Sequence, residues 1–163
     1  MRQRDDKEAE YWEKLWEDTR ADHEFDVSII RKSDGIFVGY IGIKNTRNEL
    51  WEIAIELLDE YTSMGYGTSA MTVFMQKVAE ITDKKEFQVK VELDNTICQR
   101  MLGHHNAELI GICDYVFNDE KDAADFETEN LDLIDDNMVA LANKLKIEPR
   151  KLLSHVLEYR VKA

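Results

Sequence analysis

Apolar residues recur at two different periods along the chain, and each change of period marks a change of element. Over residues 51–57, Ile53, Ile55 and Leu57 alternate with Glu52, Ala54 and Glu56, the period of two that a strand imposes. From Gly67 onward, Ala70, Met71, Phe74, Met75 and Val78 are spaced by three and four, so an amphipathic helix begins where Gly65 and Gly67 end. Residues 5–20 put Ala9, Trp12, Leu15, Trp16 and Thr19 on one face of an earlier helix. Residues 25–32 and 36–44 read as strands joined by the turn Ser33, Asp34, Gly35, and with the 51–57 strand they predict an antiparallel meander. Phe87, Val89, Val91 and Leu93 mark a strand over residues 86–93. Because it follows a helix, it should run parallel to the 51–57 strand through a right-handed crossover.

Asp94 and Asn95 offer caps for a short helix with Ile97, Cys98, Met101 and Leu102 inward, and Asn106 can end it in the left-handed region. Residues 108–117 read as the last strand. Beyond it, residues 118–130 are acidic and poor in large apolar side chains, which predicts a linker. Two helices should follow, over residues 136–146 and 149–162, with Pro149 in the first turn of the second. The expected fold class is therefore α/β (α+β): a mixed central sheet flanked by helices, with a C-terminal helical pair. Its expected divisions are a domain over residues 1–117, the linker over 118–130 and a helical extension over 131–163.

Charge narrows the partners. A formal net charge of −13 weighs against nonspecific binding to nucleic acid or anionic membrane and favours cationic partners, while also serving solubility. No apolar run resembles a signal peptide or reaches membrane-spanning length, so the expected location is cytoplasmic. Cys98 and Cys113 form no Cys-x-x-Cys pair, and reduced thiols are the expectation.

Candidate chemistry centres on the glycines. A helix N-terminus presents unpaired N–H groups and the positive end of its dipole, and flanking glycines let an anion approach the backbone. Gly65, Gly67 and Ala70 satisfy Gly-x-Gly-x-x-Ala, a variant of the dinucleotide fingerprint. Asp59 to Met64 separate that match from its strand, however, and the chain offers a meander with a single clear crossover instead of repeated parallel ones.

The residues Glu52 to Leu57, followed by Tyr61-Thr62-Ser63-Met64-Gly65-Tyr66-Gly67-Thr68-Ser69-Ala70, resemble the acetyl-CoA motif of the GNAT superfamily of N-acetyltransferases. The likeness is greatest to the branch that acetylates ribosomal-protein N-termini. Asn95-Thr96-Ile97-Cys98, then Leu102 and Asn106-Ala107, resemble the family's second motif, Asn-x-x-Ser followed by an apolar residue and Gly-Phe. The resemblance covers residues 26–117. Thr62 stands where the family usually has Arg or Gln, Cys98 where it has Ser, and Leu102 where it often has a tyrosine general acid. The stretch ahead of the first helix is short for the family's usual first strand and helix, and no final strand is evident after Phe117.

The resemblance implies a transferase that moves an acetyl group from acetyl-CoA to a primary amine in a ternary complex. Backbone N–H groups of Met64, Gly65, Tyr66, Gly67 and Thr68 would receive the diphosphate, with Arg100 as a supplementary contact. The backbone of Ile55 and Leu57 would pair with the pantetheine arm and offer an N–H to the thioester oxyanion, and Asn95 would contact the arm or serve only as a helix cap. An alkylammonium must lose a proton before attack, and Glu52 and Glu56, on one strand face, are the candidate bases or else solvated carboxylates. Cys98 would donate a proton to the leaving thiolate or act as a small packing group. No metal is implied: His104 and His105 are adjacent and lack carboxylate-histidine ligand spacing.

Residues 141–152 resemble a helix-turn-helix, but basic and acidic residues nearly balance across the extension, so a helical pair packing on the domain or forming a homodimer is the stronger expectation. The competing functions are a noncatalytic GNAT-like binding module and a CoA-sensing regulator that uses the helical tail.

Overall fold

The structure is a computed structural model, and it describes residues 24–44 and 46–163. The helix expected over residues 5–20 lies outside the described residues. Strands β1 (Phe25–Ile30), β2 (Phe37–Lys44) and β3 (Trp51–Leu57) form the expected meander, paired antiparallel. Helix α1 (Tyr66–Thr82) then crosses over to β4 (Glu86–Val91), which runs parallel to β3. Helix α2 (Thr96–His104) leads to β5 (Glu108–Tyr115), helices α3 (Glu120–Glu129) and α4 (Asp136–Leu145), and β6 (His155–Lys162). The six strands make one mixed sheet in the order β1-β2-β3-β4-β6-β5.

One sheet face carries the core. Ile41, Ile43 and Ile53 from the meander meet Phe87, Val89 and Val91 of β4 beneath Met71, Phe74, Met75 and Val78 of α1. Phe87 and Met71 are fully buried, and burial of such side chains stabilises by about 1.5–3 kcal/mol each. The helical period read from the sequence thus names Met71, Phe74, Met75 and Val78 of the buried stripe, while Ala70 is half-buried at its edge. A second cluster joins Met138 and Ala142 of α4 to Leu152 and Leu157.

Three expectations for the last third need correction. The acidic stretch read as a linker carries α3, whose N-cap Asp119 accepts from the Asp122 backbone at 2.8 Å. Its buried face consists of Ala123 and Glu127, so the usual sign of an amphipathic helix, a stripe of large apolar residues, is missing. The second helix of the expected C-terminal pair is a strand. Pro149 opens only a short 3-10 turn, Pro149–Leu153, after which Leu157, Tyr159 and Val161 alternate with Glu158, Arg160 and Lys162. That period of two was legible but short, and what decides it is a slot between β4 and β5: Val91 pairs with Leu157 and Ile112 with the same residue from the other side. A final strand therefore does follow Phe117, and a helix-turn-helix is ruled out because β6 stands where its second helix would be. The first helix of the pair forms as expected, with Lys146 in the left-handed region at its C-cap.

Candidate active site

Strands β3 and β4 pair only at Trp51 with Phe87 and at Glu52 with Gln88. Beyond Glu52 they splay, and the β4-facing edge of β3 is left without a strand partner, which exposes backbone donors and acceptors to whatever enters the gap. A groove of about 460 Å³ fills this wedge. Ile55, Glu56 and Leu57 line one side, Asn95, Ile97, Cys98, Arg100, Met101 and His104 the other, and Thr62, Ser63, Gly65, Gly67 and Thr68 close the end.

The glycines shape that end in different ways. Gly65 is the α1 N-cap with φ 83°, a left-handed conformation that lets the chain turn into the helix. A Cβ on Gly67 would meet Met101 Sδ at 3.1 Å and Leu57 Cδ1 at 3.5 Å, so its lack of a side chain lets α1 start close to both α2 and β3. No side chain caps the helix, and its first turn holds no acidic residue. The positive end of the dipole and the first N–H groups therefore face the groove uncompensated.

On the opposite wall, Asn95 accepts from Cys98 N at 3.0 Å and so caps α2 while also lining the groove. Arg100 and His104 sit one helical turn apart on that wall. Burial pushes the Cys98 thiol above its ordinary range, which keeps it protonated and a poor nucleophile. Leu102 is fully buried in the core and takes no part in the lining. His105 is outside the groove lining, and burial holds its imidazole below the ordinary value despite support from the Thr68 backbone.

Of the two candidate bases, only Glu56 reaches the groove. Glu52 lies at the closed end of the wedge and is ion-paired with Lys90 at 2.9 Å. Tyr40, opposite Glu56 in the β2–β3 register, donates its hydroxyl to the Glu56 carboxylate. That carboxylate pushes the Tyr40 phenol up to about 12, so the hydroxyl remains a donor. The sequence pattern did not single out Tyr40, because only strand register brings it to Glu56. Met64, in contrast, is 62% exposed and lies outside the lining, as does Tyr66. Thr62, Ser63, Ile97, Met101 and His104 join the lining beyond the residues the sequence motifs mark. The spacing of Ile97, Met101 and His104 along one face of the short helix was the available signal.

The central parallel strands of a mixed sheet thus part beside a glycine-started helix. The profile of the family described as Acetyltransferase (GNAT) domain matches residues 1–108, and the chain belongs to that family. No curated protein matches it in sequence. Among solved structures, a spermidine N-acetyltransferase chimera from Vibrio cholerae and hSSAT shares the fold at TM-score 0.61 and 10% identity, over 94% of this chain and 75% of that one. A ribosomal-protein-alanine N-acetyltransferase from Brucella melitensis aligns at TM-score 0.59 and 12% identity, over 94% and 78% of the two chains. A ribosomal-protein-S5-alanine acetyltransferase from Vibrio fischeri aligns at 0.58 and 11%, over 91% and 67%. No helix among the described residues is long and apolar enough to cross a membrane.

Proposed function

We propose that this protein transfers an acetyl group from acetyl-CoA to a primary amine by direct attack within a ternary complex. The observation that carries the reading is the uncapped N-terminus of α1 opening on the splayed edge of β3 within one groove. The diphosphate is received by N–H groups over residues 65–68, with Arg100 and His104 on the facing wall. Pantetheine runs along Ile55 and Leu57 as an added strand, and a β3 N–H stabilises the oxyanion. Glu56, held by Tyr40, takes the ammonium proton directly or through water, and Cys98 returns one to the departing thiolate. The protonated state of Cys98 favours direct transfer over an acyl-cysteine intermediate.

A net charge of −13 favours a cationic acceptor, and the structural neighbours' names point to two kinds: polyamines and protein N-termini. Two cysteines without Cys-x-x-Cys spacing fit a cytoplasmic setting. Release of CoA thiol from acetyl-CoA, followed in the presence of spermidine or a peptide with a free alanine N-terminus, tests the proposal. Amine-dependent thiol release with a matching acetylated product is expected. Saturable coenzyme binding with no release for any amine would leave a binding module instead.

A further inference from the structure

The loop that closes the groove has little of its own to hold it. Leu58 and Met64 are exposed, and Ser63 and Gly65 both adopt positive φ. Its internal support is the 3-10 turn Asp59–Tyr61 and a Thr62 hydroxyl that donates to Asp59 O at 2.9 Å. Its groove-lining residues, Thr62, Ser63, Gly65, Gly67 and Thr68, are all uncharged. An anchor comes from elsewhere in the chain.

Tyr61 and Tyr66 flank the loop, and their rings meet edge to face at 6.2 Å. The Arg31 guanidinium lies 5.3 Å from the Tyr61 ring centroid. The same group is fixed by Asp34, through Nε at 2.9 Å and Nη2 at 2.7 Å. Asp34 is set in turn by the β1–β2 hairpin, where Gly35 N donates to Arg31 O at 2.9 Å and Arg31 N to Ile36 O at 2.8 Å. Only a planar fork can grip a carboxylate and cover an aromatic face at once; a lysine ammonium cannot.

We propose that Arg31 is a positioning residue: by covering Tyr61, whose ring packs on Tyr66, it ties the β1–β2 hairpin to the pair that flanks the loop and holds that loop in its anion-receiving shape without touching the coenzyme. Arg31 does not line the groove. The proposal rests on the functional reading above. It deepens that reading by assigning diphosphate affinity in part to a hairpin outside the site.

The test compares acetyl-CoA with S-acetylpantetheine, which keeps the thioester and arm but lacks the diphosphate. Dissociation constants for both are measured by calorimetry on the wild-type protein and on Arg31→Ala, Arg31→Lys and Asp34→Ala, with unliganded melting curves to show that each folds. Arg31→Ala and Arg31→Lys should weaken acetyl-CoA by about tenfold and S-acetylpantetheine by less than about twofold, because only the diphosphate uses the loop's preorganised amides. Asp34→Ala, which leaves the cation but unfastens it, should weaken acetyl-CoA by about threefold. If Asp34→Ala tightens acetyl-CoA, Arg31 is a direct phosphate ligand and the proposal is overturned. Equal losses for both donors, or none for either, overturn it too. A wild-type protein that binds neither donor defeats the functional reading and the brace with it.

Discussion

The groove and the C-terminal third are built on opposite plans. Around the groove, the parts that shape the site are backbone and small residues: Gly65 for a left-handed turn, Gly67 for close approach, and a strand edge freed by splaying. In the C-terminal third, a buried charged cluster does the equivalent task. Glu127 is fully buried, with Lys151 Nζ at 3.1 Å, Ser154 Oγ donating at 2.5 Å and Arg150 Nε at 3.7 Å. His155 Nδ1 adds contacts to Ser154 Oγ at 2.8 Å and to Lys151 O at 3.0 Å. This knot fastens α3 to the 3-10 turn that delivers β6 into the sheet. One region is specified by what is absent from its side chains, the other by a charge that must find its partners.

Breaking the second region should have the largest effect. Glu127→Ala leaves Lys151 and Ser154 facing a cavity without their anion, while Arg150 keeps Glu148 at 2.6 Å, with an expected loss of about 3 kcal/mol by urea unfolding. Burial raises the Glu127 pKa, but Ser154 and Lys151 outweigh it and hold the carboxyl below its ordinary value. A depressed folded pKa means that this stabilisation is present above the ordinary glutamate range and lost as pH falls through the folded value. Unfolding free energy measured against pH should therefore drop on the acid side in the wild-type protein, and Glu127→Gln should flatten that drop.

Chemistry in the first region comes next. Glu56→Gln should lower kcat by about a hundredfold or more with little change in KM for acetyl-CoA, since a general base acts in the transition state. Glu52→Gln should cost less than about a tenth of that loss, because its carboxylate is held by Lys90 outside the groove. Equal losses at the two positions would erase the distinction drawn between them. The smallest effect belongs to the loop itself. No atom stands within 4 Å of a Cβ built on Gly65, so Gly65→Ala should cost only the left-handed backbone preference, about 1–2 kcal/mol, seen as a lower melting temperature.

The same contrast explains what the sequence revealed. Local periods sufficed for the elements of the first region: Ile53 and Ile55 against Glu52 and Glu56, then the stripe of Met71, Phe74 and Val78, located β3 and α1. They failed in the second region because the deciding facts are tertiary. Glu127 reads as one more surface acid until Lys151 and Ser154 are placed over it. Residues 155–162 carry too short an alternation to overrule a helix until β4 and β5 supply edges on both sides. Tyr40 carries no local signal for a related reason, since its contact with Glu56 arises from the register of β2 against β3 and not from either strand alone. Glu52 and Glu56 share a strand face, but only the splay after Glu52 separates a groove residue from an ion-paired one.

The central claim is that the amides at the start of α1 hold a diphosphate while the free edge of β3 holds the pantetheine arm. An amide-resolved NMR titration of the protein with acetyl-CoA tests it most directly. The account predicts saturable shifts that are largest at the amides of Gly65, Tyr66, Gly67 and Thr68, with a second group at Ile55 to Leu57. Unchanged amides at those positions under saturating acetyl-CoA would contradict it.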